Sequence, residues 1–200
     1  MCTHRNEKVR IDLNKLFNLV REVTLEVEQP CFPCLPTASI QSAVRKLVKE
    51  DDWLPDQFAC PSATSYSQYL LYCDPRERFS VVSFVWFPGQ ATPIHDHTVW
   101  GVIGQLRGEE TSTPFSRETL EPGMPTVMCP GEVCSFSPDE GDIHRVKNSG
   151  PDVAVSIHVY GGNIGRIKRS VFLQGDPVAR PFISGYSSDV LPNFWGPVSR

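Results

Sequence analysis

Gly89-Gln-Ala-Thr-Pro-Ile-His95-Asp-His97 is the stretch on which the reading of this chain turns. On an extended strand side chains alternate between faces with period two, so His95 and His97 send both imidazoles to one side. A third histidine, His144, closes the later run Pro138-Asp-Glu-Gly-Asp-Ile-His144. Three of the chain's five histidines thus stand where a small β-structure can gather them around one metal ion, two from one strand and one from another. His4, in the polar N-terminal stretch, has no such context.

The sequence around these histidines is rich in strand signals. Short apolar or alternating runs, separated by Pro, Gly and Asp, cover Gln68 to Cys73, Phe79 to Phe87, Trp100 to Leu106, Thr126 to Cys129, Val133 to Phe136, Ile143 to Lys147, Val153 to Tyr160 and Arg166 to Leu173. Many strands at short spacing predict a β-sandwich or barrel, and the unbroken apolarity of Phe79 to Phe87 predicts a strand covered on both faces. In Val155-Ser156-Ile157-His158-Val159-Tyr160 the polar Ser156, His158 and Tyr160 share one face. That face is either internal or turned to solvent. If internal, His158 is a fourth metal ligand or the middle of a relay in which Ser156 orients His158 and His158 orients the Tyr160 hydroxyl.

Before the strands, Ile11, Leu13, Leu16, Phe17, Leu19, Val20, Val23 and Val27 recur at helical spacing over about 11–29, until Pro30, Pro33 and Pro36 break the pattern. A second helix is predicted from Thr37 or Ser39 toward Asp51. The expected organisation is a single domain over 1–200, with a helical segment in 1–55, a β-barrel in 66–174 and a C-terminal tail in 175–200. Phe182, Tyr186, Phe194 and Trp195 leave that tail open as a packed strap or a lid.

Composition narrows the function classes. Two hundred residues, 40% of them hydrophobic, suit one compact domain with a real core. A net charge of -4 provides no general basic field, and Arg166, Lys168 and Arg169 are too few for a nucleic-acid or lipid patch. The polar start, Met1 to Arg10, and the lack of any long apolar run predict neither a secretion signal nor a membrane span, and hence a cytoplasmic location. Seven cysteines in such a context are expected as thiols. Cys31-Phe-Pro-Cys34 resembles a redox dithiol or half a zinc knuckle, but no second Cys-x-x-Cys completes a tetrahedral site, and its role stays open.

The histidines also fit the two-part cupin pattern. In its first part Gly89, His95, His97 and Gly108 fall in register, while Gly101 stands where a Glu is expected. Its second part is read in Pro138, Gly141, His144 and Asn148, with one extra residue before Gly141. The missing carboxylate bears on the chemistry. Two His and one carboxylate form the common non-haem iron set; three neutral imidazoles leave a divalent ion's charge uncompensated, which favours an anionic substrate such as a thiolate.

On these residues the chain resembles the thiol dioxygenases, a cupin family that includes cysteine dioxygenase and 3-mercaptopropionate dioxygenase. The resemblance spans Gln68 to Leu173 and is most specific in Pro93-Ile-His95-Asp-His97-Thr-Val-Trp-Gly101. It implies a mainly β, jelly-roll-like cupin barrel with an N-terminal helical segment, Fe(II) on His95, His97 and His144, and a Ser-His-Tyr triad at Ser156, His158 and Tyr160. Animal-type cysteine dioxygenases carry a Cys near the place of Gly101 that crosslinks to the active-site Tyr, so that crosslink is expected to be absent here. They also carry an Arg for the substrate carboxylate where this chain has Gln68, in Tyr66-Ser-Gln68-Tyr-Leu70. Bacterial relatives with Gln there resemble the 3-mercaptopropionate type, in which an Arg after the triad strand binds the carboxylate; Arg169 holds that place.

The resulting expectation is an Fe(II) dioxygenase that adds both atoms of O₂ to the sulfur of a small thiol carboxylic acid. The preferred substrate is 3-mercaptopropionate, with L-cysteine as the alternative. Arg169 and Gln68 would bind substrate, and Ser156, His158 and Tyr160 would assist catalysis. No nucleic-acid or membrane partner is expected, and the oligomeric state is left open. Two rival classes remain: a zinc hydrolase or lyase, since three His plus water also describes catalytic zinc, and a non-enzymatic cupin that binds a small acid.

Overall fold

The computed structural model describes residues 13–29, 38–140 and 142–194. Cys31, Cys34 and Trp195 lie outside them. Helix α1 (Asn14–Val27) buries Leu16, Leu19, Val20 and Val23, and helix α2 (Ala38–Val48) buries Ile40, Ala43, Val44, Leu47 and Val48. Each set is one apolar stripe at three- and four-residue spacing, the pattern that holds a helix on a core. Among the described residues no helix is long and apolar enough to cross a membrane.

The strands in chain order are β1 (Ser67–Cys73), β2 (Ser80–Trp86), β3 (Ile94–His95), β4 (Gly101–Arg107), β5 (Glu110–Pro114), β6 (Thr126–Met128), β7 (Val133–Phe136), β8 (His144–Asn148), β9 (Ala154–Tyr160), β10 (Arg169–Leu173) and β11 (Asp176–Phe182). They form one sheet in the order β1-β2-β9-β4-β7 and a second in the order β11-β10-β3-β8-β5-β6. The molecule is thus mainly β with N-terminal helices, as the sequence predicts, but the barrel is two sheets rather than one closed cylinder.

The first sheet is covered on both faces. Val81, Val85, Val102, Leu106, Val155, Ile157 and Val159 pack on one face with the two helices, Trp53 and Phe58. Val82, Phe84, Trp86 and Tyr160 occupy the other, together with Val146 of the second sheet. Every residue of β2 and β9 is consequently buried. The face that carries Ser156, His158 and Tyr160 is therefore internal, which removes the solvent-facing alternative. Gly104 lets α2 lie this close, because a Cβ there would sit 2.6 Å from Val44 and 2.8 Å from Val48.

Two strands were not legible in the sequence. β5 is Glu-Thr-Ser-Thr-Pro, polar enough to read as a loop, and its place between β6 and β8 is set by pairing. β11 contains two prolines and falls in what reads as a tail, so the second sheet extends past residue 174. Proline is tolerated there because β11 is an edge strand. The expectation of thiols throughout also needs correcting: Cys73, Cys129 and Cys134 are free, whereas Cys60 is disulfide-bonded.

Candidate metal centre

The short strand β3 brings the distant histidines together. His95 lies opposite His144 across the β3–β8 pair, and His97 follows just past the end of β3. The three rings form a near-equilateral triangle, with centroids 4.8, 4.8 and 4.9 Å apart. One nitrogen from each lies within 4.8 Å of the others. His158 is not part of that group, because Tyr160 Oη and Ser156 Oγ occupy both of its ring nitrogens.

Hydrogen bonding decides which nitrogen the His95 ring offers. His95 Nδ1 lies 3.1 Å from the Pro93 carbonyl, which only accepts, so Nδ1 carries the hydrogen and Nε2 keeps its lone pair. His144 Nδ1 meets Ser112 Oγ at 2.9 Å, and its buried Nε2 has no partner. Burial, with the neighbouring imidazoles, holds the His95 and His97 pKa values well below the usual range, and burial lowers that of His144 to about 4. Three neutral, desolvated imidazoles, with Nε2 of His144 buried and unpartnered, make a donor set that fits a divalent transition ion.

A second layer braces these ligands, and sequence reasoning missed it. Asp142 Oδ2 accepts the backbone N–H groups of His97 and Thr98 at 2.6 and 3.1 Å and lies 3.7 Å from His97 Nδ1. It thereby holds a tight turn, since Thr98 has φ 60°, a left-handed conformation uncommon for a β-branched residue. Asp96 Oδ1 accepts the Ser170 N–H at 2.7 Å, tying the His-x-His segment to β10. The only signal for these roles was acidic residues beside histidines, which does not separate a ligand from a brace. Asp142→Asn is expected to weaken metal binding by about 10- to 100-fold, the usual cost of losing a ligand-orienting group, as measured by competition with a chelator.

Gly101, where the cupin pattern expects a Glu, leaves room for the Phe136 side chain. A Cβ there would lie 2.2 Å from the Phe136 ring, which fills the place and packs at a tilt against His97 with centroids 4.3 Å apart. No carboxylate enters the site from this position.

On β9, Ser156, His158 and Tyr160 form a continuous chain, with Ser156 Oγ 2.8 Å from His158 Nε2 and His158 Nδ1 2.8 Å from Tyr160 Oη. Burial lowers the His158 pKa to about 3 and raises that of Tyr160, so both stay neutral. Ser156 Oγ also donates to Glu110 Oε2 at 3.1 Å, and burial raises the Glu110 carboxyl to about 7. A carboxyl whose folded pKa is raised binds its proton more tightly in the native state, so its contribution is full below the unfolded value of 4.5 and is lost as pH rises through about 7. Glu110→Gln should therefore raise stability by about 3 kcal/mol at alkaline pH and by little under acid conditions. Denaturant titrations at the two extremes check this.

Arg169, on β10, completes the pocket. It is buried, its guanidinium lies 4.6 Å over the Phe182 ring, and Nη2 donates to Ser184 Oγ at 2.7 Å. Its Nε has no partner, and no described carboxylate lies within ion-pair distance of it. Gln68 lines the same pocket, but its amide N–H groups are spent on Ser184 Oγ at 3.1 Å and the Gly185 carbonyl at 2.9 Å. The segment after β11 is thus strapped across the site, with the Ser187 N–H donating to the Gln68 carbonyl. The space left has a volume of about 20 Å³, and none of its lining residues is acidic.

Residues 49–170 match the cysteine dioxygenase type I family, more than half of the chain. The chain belongs to that family. Among solved structures, this cysteine dioxygenase family member is similar to a Klebsiella pneumoniae subsp. pneumoniae protein with a double-stranded β-helix domain, at 22% identity over 57% of this chain and 93% of the other, with a TM-score of 0.46. A Thermus thermophilus protein matches at 20% identity over 53% of this chain and 91% of the other, TM-score 0.44. A cupin domain from Bordetella pertussis Tohama I matches at 20% identity over 50% and 97%, TM-score 0.40.

Proposed function

We propose that this chain is a non-haem Fe(II) thiol dioxygenase that adds both atoms of O₂ to the sulfur of a small thiol carboxylic acid, with 3-mercaptopropionate, giving 3-sulfinopropionate, as the preferred substrate. One observation carries the substrate class: a buried guanidinium with no described carboxylate at ion-pair distance, the nearby Asp96 acting on it only at longer range, lines the same small pocket as three neutral imidazoles. A desolvated cation in that position favours an anionic ligand.

Iron held by His95, His97 and His144 would supply the redox chemistry and favour the thiolate form of the substrate. The chain's own residues supply geometry and charge. Arg169 binds the carboxylate through its guanidinium, whose Nε has no partner, while Phe182 and Ser184 fix the plane of that group. Gln68 contributes through Ser184 and Gly185, which it holds in place. Tyr160, oriented by His158 and Ser156, presents its hydroxyl to the same pocket. Phe84, Trp86 and Phe136 surround the centre with apolar surface, limiting water where charge changes.

The family match favours a second substrate, L-cysteine, converted to cysteine sulfinate. The pocket argues against it as the better one, because an ammonium group would meet Arg169 and find no acidic residue among the lining side chains. The reading includes a cytoplasmic site of action with no nucleic-acid or membrane partner.

Metal analysis combined with sulfinate formation from 3-mercaptopropionate, L-cysteine and cysteamine tests the proposal. The expected result is iron-dependent turnover with one O₂ consumed per sulfinate and the highest kcat/KM for 3-mercaptopropionate. Zinc in the site without thiol-dependent O₂ uptake would overturn the dioxygenase; a clear preference for L-cysteine would overturn the substrate assignment alone.

A further inference from the structure

The hydrogen-bonded chain that begins at Tyr160 does not end at Ser156. It runs 2.8 Å from Tyr160 Oη to His158 Nδ1, 2.8 Å from His158 Nε2 to Ser156 Oγ, and 3.1 Å from Ser156 Oγ to Glu110 Oε2. Glu110 lies on the opposite sheet, 4% exposed, and its other oxygen accepts from Gln105 Nε2 at 3.2 Å. The Trp86 indole N–H lies toward the same carboxyl without closing a hydrogen bond. Glu110 also lines a second cavity, of about 250 Å³, whose lining includes the exposed Thr126 and Ser135. One end of the chain is thus in the metal pocket and the other borders a different cavity.

We propose that Glu110 is the terminal proton acceptor of this chain, so that the thiol proton given up at Tyr160 ends on the Glu110 carboxylate and leaves through the second cavity. The identity of the proton donor rests on the thiol dioxygenase reading; the chain itself does not.

The direction of each hydrogen bond follows from the state of Glu110. An ionised carboxylate only accepts, so Ser156 donates to it, Ser156 accepts from His158 Nε2–H, and His158 Nδ1 accepts from the Tyr160 hydroxyl. Tyr160 then has oxygen lone pairs free for the pocket. When a proton arrives on Tyr160 Oη, the phenolic hydrogen passes to His158 Nδ1, the Nε2 hydrogen to Ser156 Oγ, and the Ser156 hydrogen to Glu110 Oε2. One proton has entered and the carboxylate has become a carboxylic acid. Neither His158 nor Tyr160 is left charged, which matters because burial makes both ions costly. The overall reaction balances: a thiol and O₂ give a sulfinate anion and one proton, and that proton is the one moved.

Burial raises Glu110 to about 7, so near neutrality it can both take and release a proton. The titratable groups around it are His158 and Tyr160 through the chain, Cys134 on β7, and Asp142 and His144, which line the same cavity. Its register partners Met128 and Asn148 do not titrate, nor do Gln105 and Trp86.

The test reads the His158 tautomer by nitrogen-15 NMR in metal-free, histidine-labelled protein from about pH 5.5 to about pH 8.5. The wild type is expected to change from the Nδ1–H to the Nε2–H form as pH rises through the Glu110 transition. In Glu110→Gln the amide oxygen faces Gln105 and the amide N–H faces Ser156, so the Nδ1–H form should persist at every pH. Ser156→Ala, which cuts the chain, should leave the tautomer insensitive to pH. In iron-loaded enzyme, kcat/KM for 3-mercaptopropionate should rise with pH in the wild type, whereas Glu110→Gln should lose about 100-fold and the rise itself. A wild-type tautomer that does not respond to pH, or a Glu110→Gln variant that switches like the wild type, overturns the relay. Turnover of thiol acids with a static tautomer sinks the relay alone; a switching tautomer without thiol turnover supports the relay and sinks the thiol as its donor.

Discussion

His97→Ala is expected to remove stoichiometric metal binding and to lower thiol-dependent O₂ uptake at least about 1,000-fold, the several kcal/mol that a catalytic metal supplies. His97 is 1% exposed, packs at a tilt against Phe136 and faces Tyr160 with ring centroids 5.5 Å apart, so it is the corner of the metal triangle that adjoins the triad on β9. Two imidazoles would remain, and the braced turn at Asp142 and Thr98 would keep its backbone hydrogen bonds. The fold should therefore persist, as circular dichroism and a thermal melt would report. A folded variant that still takes up one equivalent of iron with unchanged affinity would remove His97 from the site.

Arg169→Ala carries the second large effect. Truncating one member of a desolvated charge pair costs about 2 to 5 kcal/mol, which corresponds to a loss of about 30-fold to several thousand-fold in kcat/KM for 3-mercaptopropionate. The loss should be specific to the carboxylate: a simple alkane thiol, already a poor substrate, should lose little. Arg169→Lys should recover only part of the activity, because an ammonium does not reproduce the planar fork that Phe182 and Ser184 hold in place. Equal losses for thiols with and without a carboxylate would show that Arg169 supports the fold rather than the substrate.

Much of this site was legible one residue at a time. His95 and His97 reveal themselves through period-two spacing, and Ser156, His158 and Tyr160 through the same period on a strand whose other face is apolar. Asp142, Ser112 and Glu110 were not legible, because each acts across a strand pair or between sheets. Asp142 reaches back to the N–H groups of His97 and Thr98, Ser112 orients His144 from the neighbouring strand, and Glu110 meets Ser156 from the opposite sheet. A lone acidic or hydroxyl residue carries no periodic signal. Gln68 shows the converse: its presence could be read, but the commitment of its amide to Ser184 and Gly185 could not.

By itself the sequence determined the alternation that aims side chains to one side of a strand, the apolar stripes of the two helices, and the residue types able to bind a divalent ion, since these depend only on local geometry and composition. Tertiary structure alone decided that the β9 face turns inward, that β5 and β11 join the second sheet, and that a buried guanidinium with no described carboxylate at ion-pair distance shares a pocket with three neutral imidazoles. Those outcomes follow from which strands pair and which faces meet, and that is set by burial summed over the whole chain rather than by any segment of it.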